Sequence, residues 1–127
     1  MIFYPPGVPP PPLLAGTDSG FLNSFNYPGI GLHEELALFV GKGLTPLQAL
    51  QASVINGPRF LGHADRYGAI APGKAADILI LEKNPLLDIA ATRSIGGVVL
   101  KGQYFERKAL DEMFKTIAER NAKTPAA

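Results

Sequence analysis

Three residues could do acid–base or metal chemistry by their position: Asp18, His33 and His63. Asp18 closes the run Leu13-Leu14-Ala15-Gly16-Thr17 and opens a stretch punctuated by Gly20, Asn23, Asn26 and Pro28-Gly29. A short apolar run that ends in small and polar residues fits a buried strand. The carboxyl ends of strands in α/β folds are where catalytic groups sit. A carboxylate there can take a proton from an attacking water. The same side chain also fits as a cap on the turn that follows it. The two histidines show no HxH or HExxH spacing, and a zinc site takes about three protein ligands or more. His33 fits the first turn of a helix, hydrogen-bonded to a loop, and His63 an exposed turn. With no cysteine, thiolate metal sites and disulfides are excluded. No GxSxG elbow and no phosphate-cradling glycine loop followed by Lys-Ser/Thr is present.

The elements that must position these groups are legible from period and punctuation. Leu32, Leu36, Phe39 and Val40 recur at i, i+4, i+7 and i+8, which predicts a helix with Glu34 and Glu35 in its first turn and Gly41 and Gly43 at its end. Thr45-Pro46-Leu47-Gln48 predicts a second helix start, with Thr45 as N-cap, Pro46 at the first helical position and Gln48 completing a capping box. Leu47, Leu50 and Val54 would form its stripe, Ala49 and Ala52 would permit close approach, and Asn56-Gly57-Pro58 would stop it. Phe60 and Leu61 would then cap this helical pair as an apolar turn. From Gly68 the period changes. Ala71-Pro72-Gly73-Lys74 reads as a type II turn, and Ile78-Leu79-Ile80-Leu81 as a buried strand. Val98-Val99-Leu100 and Gln103-Tyr104-Phe105 flank Lys101-Gly102 as a two-residue hairpin. Leu110, Met113, Phe114 and Ile117 mark an amphipathic helix over residues 107–121, with a frayed tail after it.

Whole-chain properties narrow the function classes. The chain has 127 residues, with 46% hydrophobic and 18% charged, which is enough for one modest domain with a packed core. A complete (β/α)₈ barrel needs about 250 residues. Lys+Arg 12 against Asp+Glu 11 gives no basic surplus that would argue for nucleic acid or an anionic membrane. No apolar run approaches the ~18 residues of a membrane span, and the start has no basic n-region. The cytoplasm is therefore the default expectation. Six prolines within residues 5–12 predict an extended polyproline II arm. Pro6-Gly7-Val8-Pro9 matches a PxxP ligand for an SH3- or WW-type groove, but no basic residue flanks the run to orient it, and it reads as a stiff lead-in or a disordered end.

The ordered series Leu14-Ala15-Gly16-Thr17-Asp18-Ser19-Gly20, His33-Glu34-Glu35-Leu36, Gly43-Leu44-Thr45-Pro46-Leu47-Gln48-Ala49-Leu50, Leu61-Gly62, Gly68-Ala69-Ile70-Ala71-Pro72-Gly73-Lys74-Ala75-Ala76-Asp77-Ile78 and Asn84-Pro85-Leu86 resembles the carboxyl-terminal part of the metal-dependent amidohydrolase superfamily. The nearest branch is the one with prolidase-like and imidazolonepropionase-like enzymes, and the likeness runs from about Leu13 to about Leu110. It implies a mixed α/β fold: the last strand and helices of a TIM-like barrel, then carboxyl-terminal strands of a small β-sandwich and a terminal helix. The corresponding division is a Pro-rich arm at 1–12, the barrel end at 13–67, the sandwich portion at 68–106, and an amphipathic helix and tail at 107–127. The resemblance makes residues 13–17 the eighth barrel strand. Asp18 becomes the aspartate that approaches a divalent metal, zinc being expected, and takes a proton from the water it activates. Asp77 becomes a structural residue tying the strand start to the Pro72-Gly73 turn.

The family's HxH motif, its bridging lysine and its two later metal-binding histidines all precede that aspartate, and only 17 residues precede Asp18 here. The chain therefore reads as a truncated amidohydrolase. The parent would hydrolyse C–N bonds of a small-molecule amide, dipeptide or cyclic amide, with Asp18 both catalytic and a metal ligand alongside ligands missing from this chain. The isolated chain is expected to be inactive, to hold no metal, to bind neither nucleic acid nor membrane, and to form a homo-oligomer. The alternative is a non-catalytic binding or self-associating module with a Pro-rich arm.

Overall fold

The computed structural model describes residues 12–19 and 27–122. The expected polyproline II arm, the centre of the loop after Asp18 and the tail beyond residue 122 lie outside the described residues. The structure is mixed α/β, and the chain divides into two compact units between Ala69 and Ile70.

The first unit is helical. Helix α1, Ile30–Gly41, follows Gly29 at φ 82°, a conformation glycine adopts without a Cβ penalty. It begins two residues earlier than the expected glutamate-rich first turn would require, so Glu34 and Glu35 lie in the second turn. Leu36 is buried and Leu32, Phe39 and Val40 are half-buried, so the predicted face is the packing face. The chain leaves α1 through Gly43 at φ 105°.

Helix α2, Pro46–Val54, starts as its sequence dictates. The Gln48 amide donates to Thr45 Oγ1 at 3.2 Å, and the Thr45 amide donates to Gln48 Oε1 at 2.9 Å. Two backbone donors with no partner inside the helix are thereby satisfied. Its packing face differs from the predicted stripe. Ala49 and Ala52 are the buried residues, while Leu47 and Val54 are about half exposed at 52% and 51%. The backbone of residue 15 comes close enough to bond the Ala52 carbonyl at 3.2 Å, and the small Ala49 and Ala52 side chains are the buried ones. Asn56-Gly57-Pro58 does not end the helical run either. After one turn residue, Ile55, the chain re-enters a short helix, α3, Asn56–Phe60. Pro58 sits within its first turn, where a missing N–H costs nothing. Phe60 and Leu61 lie on the surface rather than capping the pair.

The second unit is a three-stranded antiparallel sheet in the order β1-β2-β3, with β1 Ile78–Leu81, β2 Ile95–Leu100 and β3 Gln103–Glu106. Lys74 N–H closes the predicted turn onto the Ala71 carbonyl at 3.1 Å, with Gly73 at φ 84°. Ile78 pairs with Val99 and Ile80 with Gly97, and a bulge between Ile80 and Leu81 shifts the register so that Leu81 faces Ile95. Strand β1 is an edge strand. Leu79 and Ile80 are exposed, so it is not the fully buried strand its continuous apolar run suggests. The β2–β3 hairpin forms around Lys101 at φ 51° and Gly102 at φ 82°, the two positive values a type I′ turn requires.

A 3-10 helix, Ile89–Arg93, packs on β1 and supplies the buried Ile89, Ala91 and Thr92. The Thr92 hydroxyl is satisfied by donating to the Ile89 carbonyl at 2.9 Å. Helix α4, Arg107–Ala122, packs on β2 and β3. Ala109 and Leu110 are half-buried, whereas Met113, Phe114 and Ile117 are exposed. The stripe that its period marks as a packing face is thus covered only near its start.

Candidate functional site

Asp18 follows an extended segment that three separate groups of the first unit hold down. The Leu13 carbonyl accepts from Asn56 Nδ2 at 2.9 Å, the Ala15 amide donates to the Ala52 carbonyl at 3.2 Å, and the Gly16 amide donates to Glu35 Oε1 at 3.1 Å. Backbone groups of a lone extended chain need partners, and here α1, α2 and α3 supply them. No strand is assigned at residues 13–17, and Leu13 and Leu14 are exposed. The expected buried strand is therefore an extended segment, because no described strand lies beside it to form a ladder.

Asp18 itself has φ 50°, unusual for a residue with a Cβ but commonest for Asp and Asn among such residues. Its carboxylate is exposed and makes no hydrogen bond among the described residues; the turn that it would cap in the alternative reading continues into residues 20–26, outside the described residues. On either side of it, the Thr17 and Ser19 hydroxyls meet at 2.5 Å. The arrangement presents an exposed carboxylate at the end of an anchored segment, a geometry suited to accepting a proton or a metal bond.

His33 lies in the first turn of α1, as expected, and is half-buried; His63 is exposed in the turn after α3. Among the described residues no group of three or more His, Cys, Asp or Glu side chains could hold a metal ion. Asp18, His33 and His63 therefore do not form a metal centre together.

Two residues of this site were not singled out by spacing. Glu35 sits three residues after Leu32 and four before Phe39, so its place on the apolar side of α1 was the available signal. It is half-buried while its neighbour Glu34 is exposed. Asn56 looked like a helix stop, and its side chain instead anchors Leu13. Asp77 also differs from expectation. Its Oδ1 accepts the Lys101 amide at 2.7 Å, tying the start of β1 to the β2–β3 turn rather than to Pro72-Gly73. In the second unit, a cavity of about 480 Å³ lies between the 83–88 loop and the 3-10 helix, lined by Lys83, Leu87, Asp88, Ala91 and Arg93 among others. Its lining includes the Ser94 hydroxyl, which donates to the Ala91 carbonyl at 2.7 Å and accepts the Lys83 amide at 3.1 Å.

A model of the amidohydrolase family matches residues 12–105, most of the chain. The chain belongs to the amidohydrolase family. Within it, the chain is 44% identical over 78 residues to an imidazolonepropionase of Deinococcus deserti, covering 61% of this chain and 18% of that protein. Phenylurea hydrolase B superposes with a TM-score of 0.59 at 37% identity, over 66% of this chain and 18% of that one. A Xaa-Pro dipeptidase superposes with a TM-score of 0.55 at 27% identity, over 58% and 18% respectively. The chain thus spans less than a fifth of the length of these amidohydrolase relatives. Among the described residues no helix is long and apolar enough to cross a membrane.

Proposed function

We propose that this chain is the carboxyl-terminal part of an amidohydrolase that cleaves C–N bonds in a small amide, dipeptide or cyclic amide. In this reading Asp18 is the proton acceptor. The observation that carries the reading is the family match from residue 12 to residue 105, which includes Asp18 and the elements that anchor it. The relatives' names support the bond type: an imidazolonepropionase, a phenylurea hydrolase and a Xaa-Pro dipeptidase.

The chemistry proposed for Asp18 is a general-base step. Its carboxylate takes a proton from the attacking water, the water oxygen bonds the carbonyl carbon, the C–N bond breaks, and the proton passes to the departing nitrogen. An exposed carboxylate suits that task. The family is generally metal-dependent, and zinc is the ion we assign to the parent. The described residues do not fit it as a set, since Asp18 is one donor and a zinc site needs about three or more. We place residues 13–67 at the end of a TIM-like barrel, 68–106 in a small β-sandwich and 107–127 as a terminal helix and tail, after a Pro-rich arm at 1–12.

Asp18→Asn in an intact protein carrying this segment tests the assignment. Turnover of amide, dipeptide and cyclic amide substrates should fall by about 10²–10⁴. Unchanged kcat in that variant would remove Asp18 from the reaction. The 127-residue chain alone should show no turnover, because its two histidines lack the spacing of a metal site and an isolated carboxylate does not shape a pocket. One observation favours a second reading, that of a self-associating module: the exposed Met113, Phe114 and Ile117 on α4.

A further inference from the structure

We propose that the cavity between the 83–88 loop and the 3-10 helix binds a small organic anion, a carboxylate or phosphate head group carried on a short aliphatic chain. The site lies in the second unit and uses no residue of the Asp18 segment. Its volume of about 480 Å³ falls within the range of small-molecule pockets, roughly 300–1,000 Å³. Lys83 and Arg93 bring two positive charges to the lining, where Asp88 is the acidic residue among those described. The backbone holds these two cations near one another. The Glu82 amide donates to the Ser94 carbonyl at 2.8 Å and the Lys83 amide donates to Ser94 Oγ at 3.1 Å, so the chain at Lys83 is fixed beside the residue that follows Arg93. Like charges held close repel, and an anion between them offsets that repulsion.

The other polar groups of the lining serve the protein's own backbone. Asn84 Oδ1 accepts the Leu86 amide at 2.9 Å, Asp88 Oδ1 accepts the Ala90 amide at 2.9 Å, and the Ser94 hydroxyl lies between the Lys83 amide and the Ala91 carbonyl. The Leu87 amide is spent on the Asn84 carbonyl at 3.2 Å and the Ala91 amide on the Asp88 carbonyl at 3.0 Å. A head group is therefore held by side-chain charge rather than by backbone N–H groups. Two cations and one carboxylate leave the lining net positive, which draws in an anion. The Arg93 guanidinium suits the two oxygens of a carboxylate or phosphate. These internal bonds also fix the walls in advance, so little is lost in ordering them around a ligand. The tail is specified by Leu87, Ala90 and Ala91, which make part of the lining apolar. Leu87 is largely exposed, and a short aliphatic chain lying against it would take that surface out of water.

The test titrates sodium hexanoate, hexyl phosphate and 1-hexanol into the 127-residue chain by calorimetry, with NMR to locate the ligand. At least one of the two anions should bind at a single site, about tenfold or more tighter than hexanol, which has the tail without the charge. The tighter of the two names the head group, carboxylate or phosphate. Intermolecular Overhauser signals should join the methylene protons of that anion to the methyls of Leu87 and Ala91. Lys83→Gln should weaken anion binding by about tenfold and leave hexanol unchanged. Lys83→Arg, which keeps the charge, should retain anion binding. The bond from residue 83 to Ser94 is made by a backbone amide, so both variants keep it. Anions that bind no tighter than hexanol overturn the proposal, as does undiminished anion binding in Lys83→Gln, its loss in Lys83→Arg, or the absence of the Overhauser signals. Should Lys83→Gln fail to fold, the parent chain and Lys83→Arg decide: preference for the anion together with those signals in both supports the proposal, and the lack of either overturns it.

Discussion

Lys101 adopts φ 51° in the β2–β3 turn, where asparagine, aspartate or glycine would carry less strain. The compensation comes from Asp77, whose carboxylate accepts the Lys101 amide at 2.7 Å; the next amide, of Gly102, donates to the Ala76 carbonyl at 3.0 Å. One segment before β1 therefore receives two consecutive N–H groups of a turn that is 24 residues away in sequence from Asp77. Asp77→Ala should destabilise the fold by about 1 kcal/mol, the typical net contribution of such a bond. Asp77→Asn, which keeps the acceptor oxygen, should recover most of the loss. Chemical denaturation checks both, and an unchanged midpoint for Asp77→Ala would show that water replaces the carboxylate at no cost. Gly97 is constrained differently. A Cβ there would lie 2.8 Å from Tyr104 Cε2 and 3.2 Å from the Phe105 carbonyl, so the Tyr104 ring occupies the space that the missing side chain leaves on the central strand.

At the scale of the element, α2 shows local and tertiary forces separated along one helix. Its start is set locally: the Thr45–Gln48 box and Pro46 act within four residues. Thr45→Ala should destabilise the unit containing α2 by about 1 kcal/mol, because the Gln48 amide loses its acceptor. A denaturation midpoint identical to that of the parent chain would show that water substitutes for the cap. The face α2 buries is set from outside. An apolar stripe of Leu47, Leu50 and Val54 satisfies the helical period, yet Ala49 and Ala52 carry the contact, because the extended segment bonds to the Ala52 carbonyl. Periodicity identifies which residues share a face, and the distance to the neighbour selects which face packs. Helix α4 is the converse case, with a clear stripe and, past Leu110, no described neighbour to cover it.

For the molecule as a whole, exposed apolar side chains govern behaviour in solution. Phe60, Ile70, Leu87 and Phe114 are exposed by 76%, 83%, 84% and 66%, while the buried apolar residues among those described are Leu36, Ala49, Ala52, Ile89 and Ala91. Soluble monomers rarely leave large apolar patches uncovered, and each Å² removed from water contributes roughly 25 cal/mol. An edge strand such as β1 adds unpaired backbone groups that can recruit another chain. The 127-residue chain should therefore self-associate, as a dimer or larger. Light scattering over a concentration series checks this. A monomer at every concentration, with one cooperative unfolding transition, would show that these surfaces need no cover.

The sequence alone determined what depends on near neighbours. The helix start at Thr45-Pro46, the turn at Pro72-Gly73 and the hairpin at Lys101-Gly102 are each decided by residues a few positions apart. The ordered motifs from Leu14 to Leu86 likewise placed the chain among the amidohydrolases, because such a series is a property of the string itself. Tertiary structure decided the rest. Only the fold shows that residues 13–16 lie against three helices instead of in a ladder. Only the fold shows that Glu35, Asn56 and Asp77 spend their side chains on backbone groups 19, 43 and 24 residues away. A hydrogen bond of that range leaves no period or cap in the sequence. It exists because packing brings two distant segments together and leaves a polar group of one in need of a partner from the other.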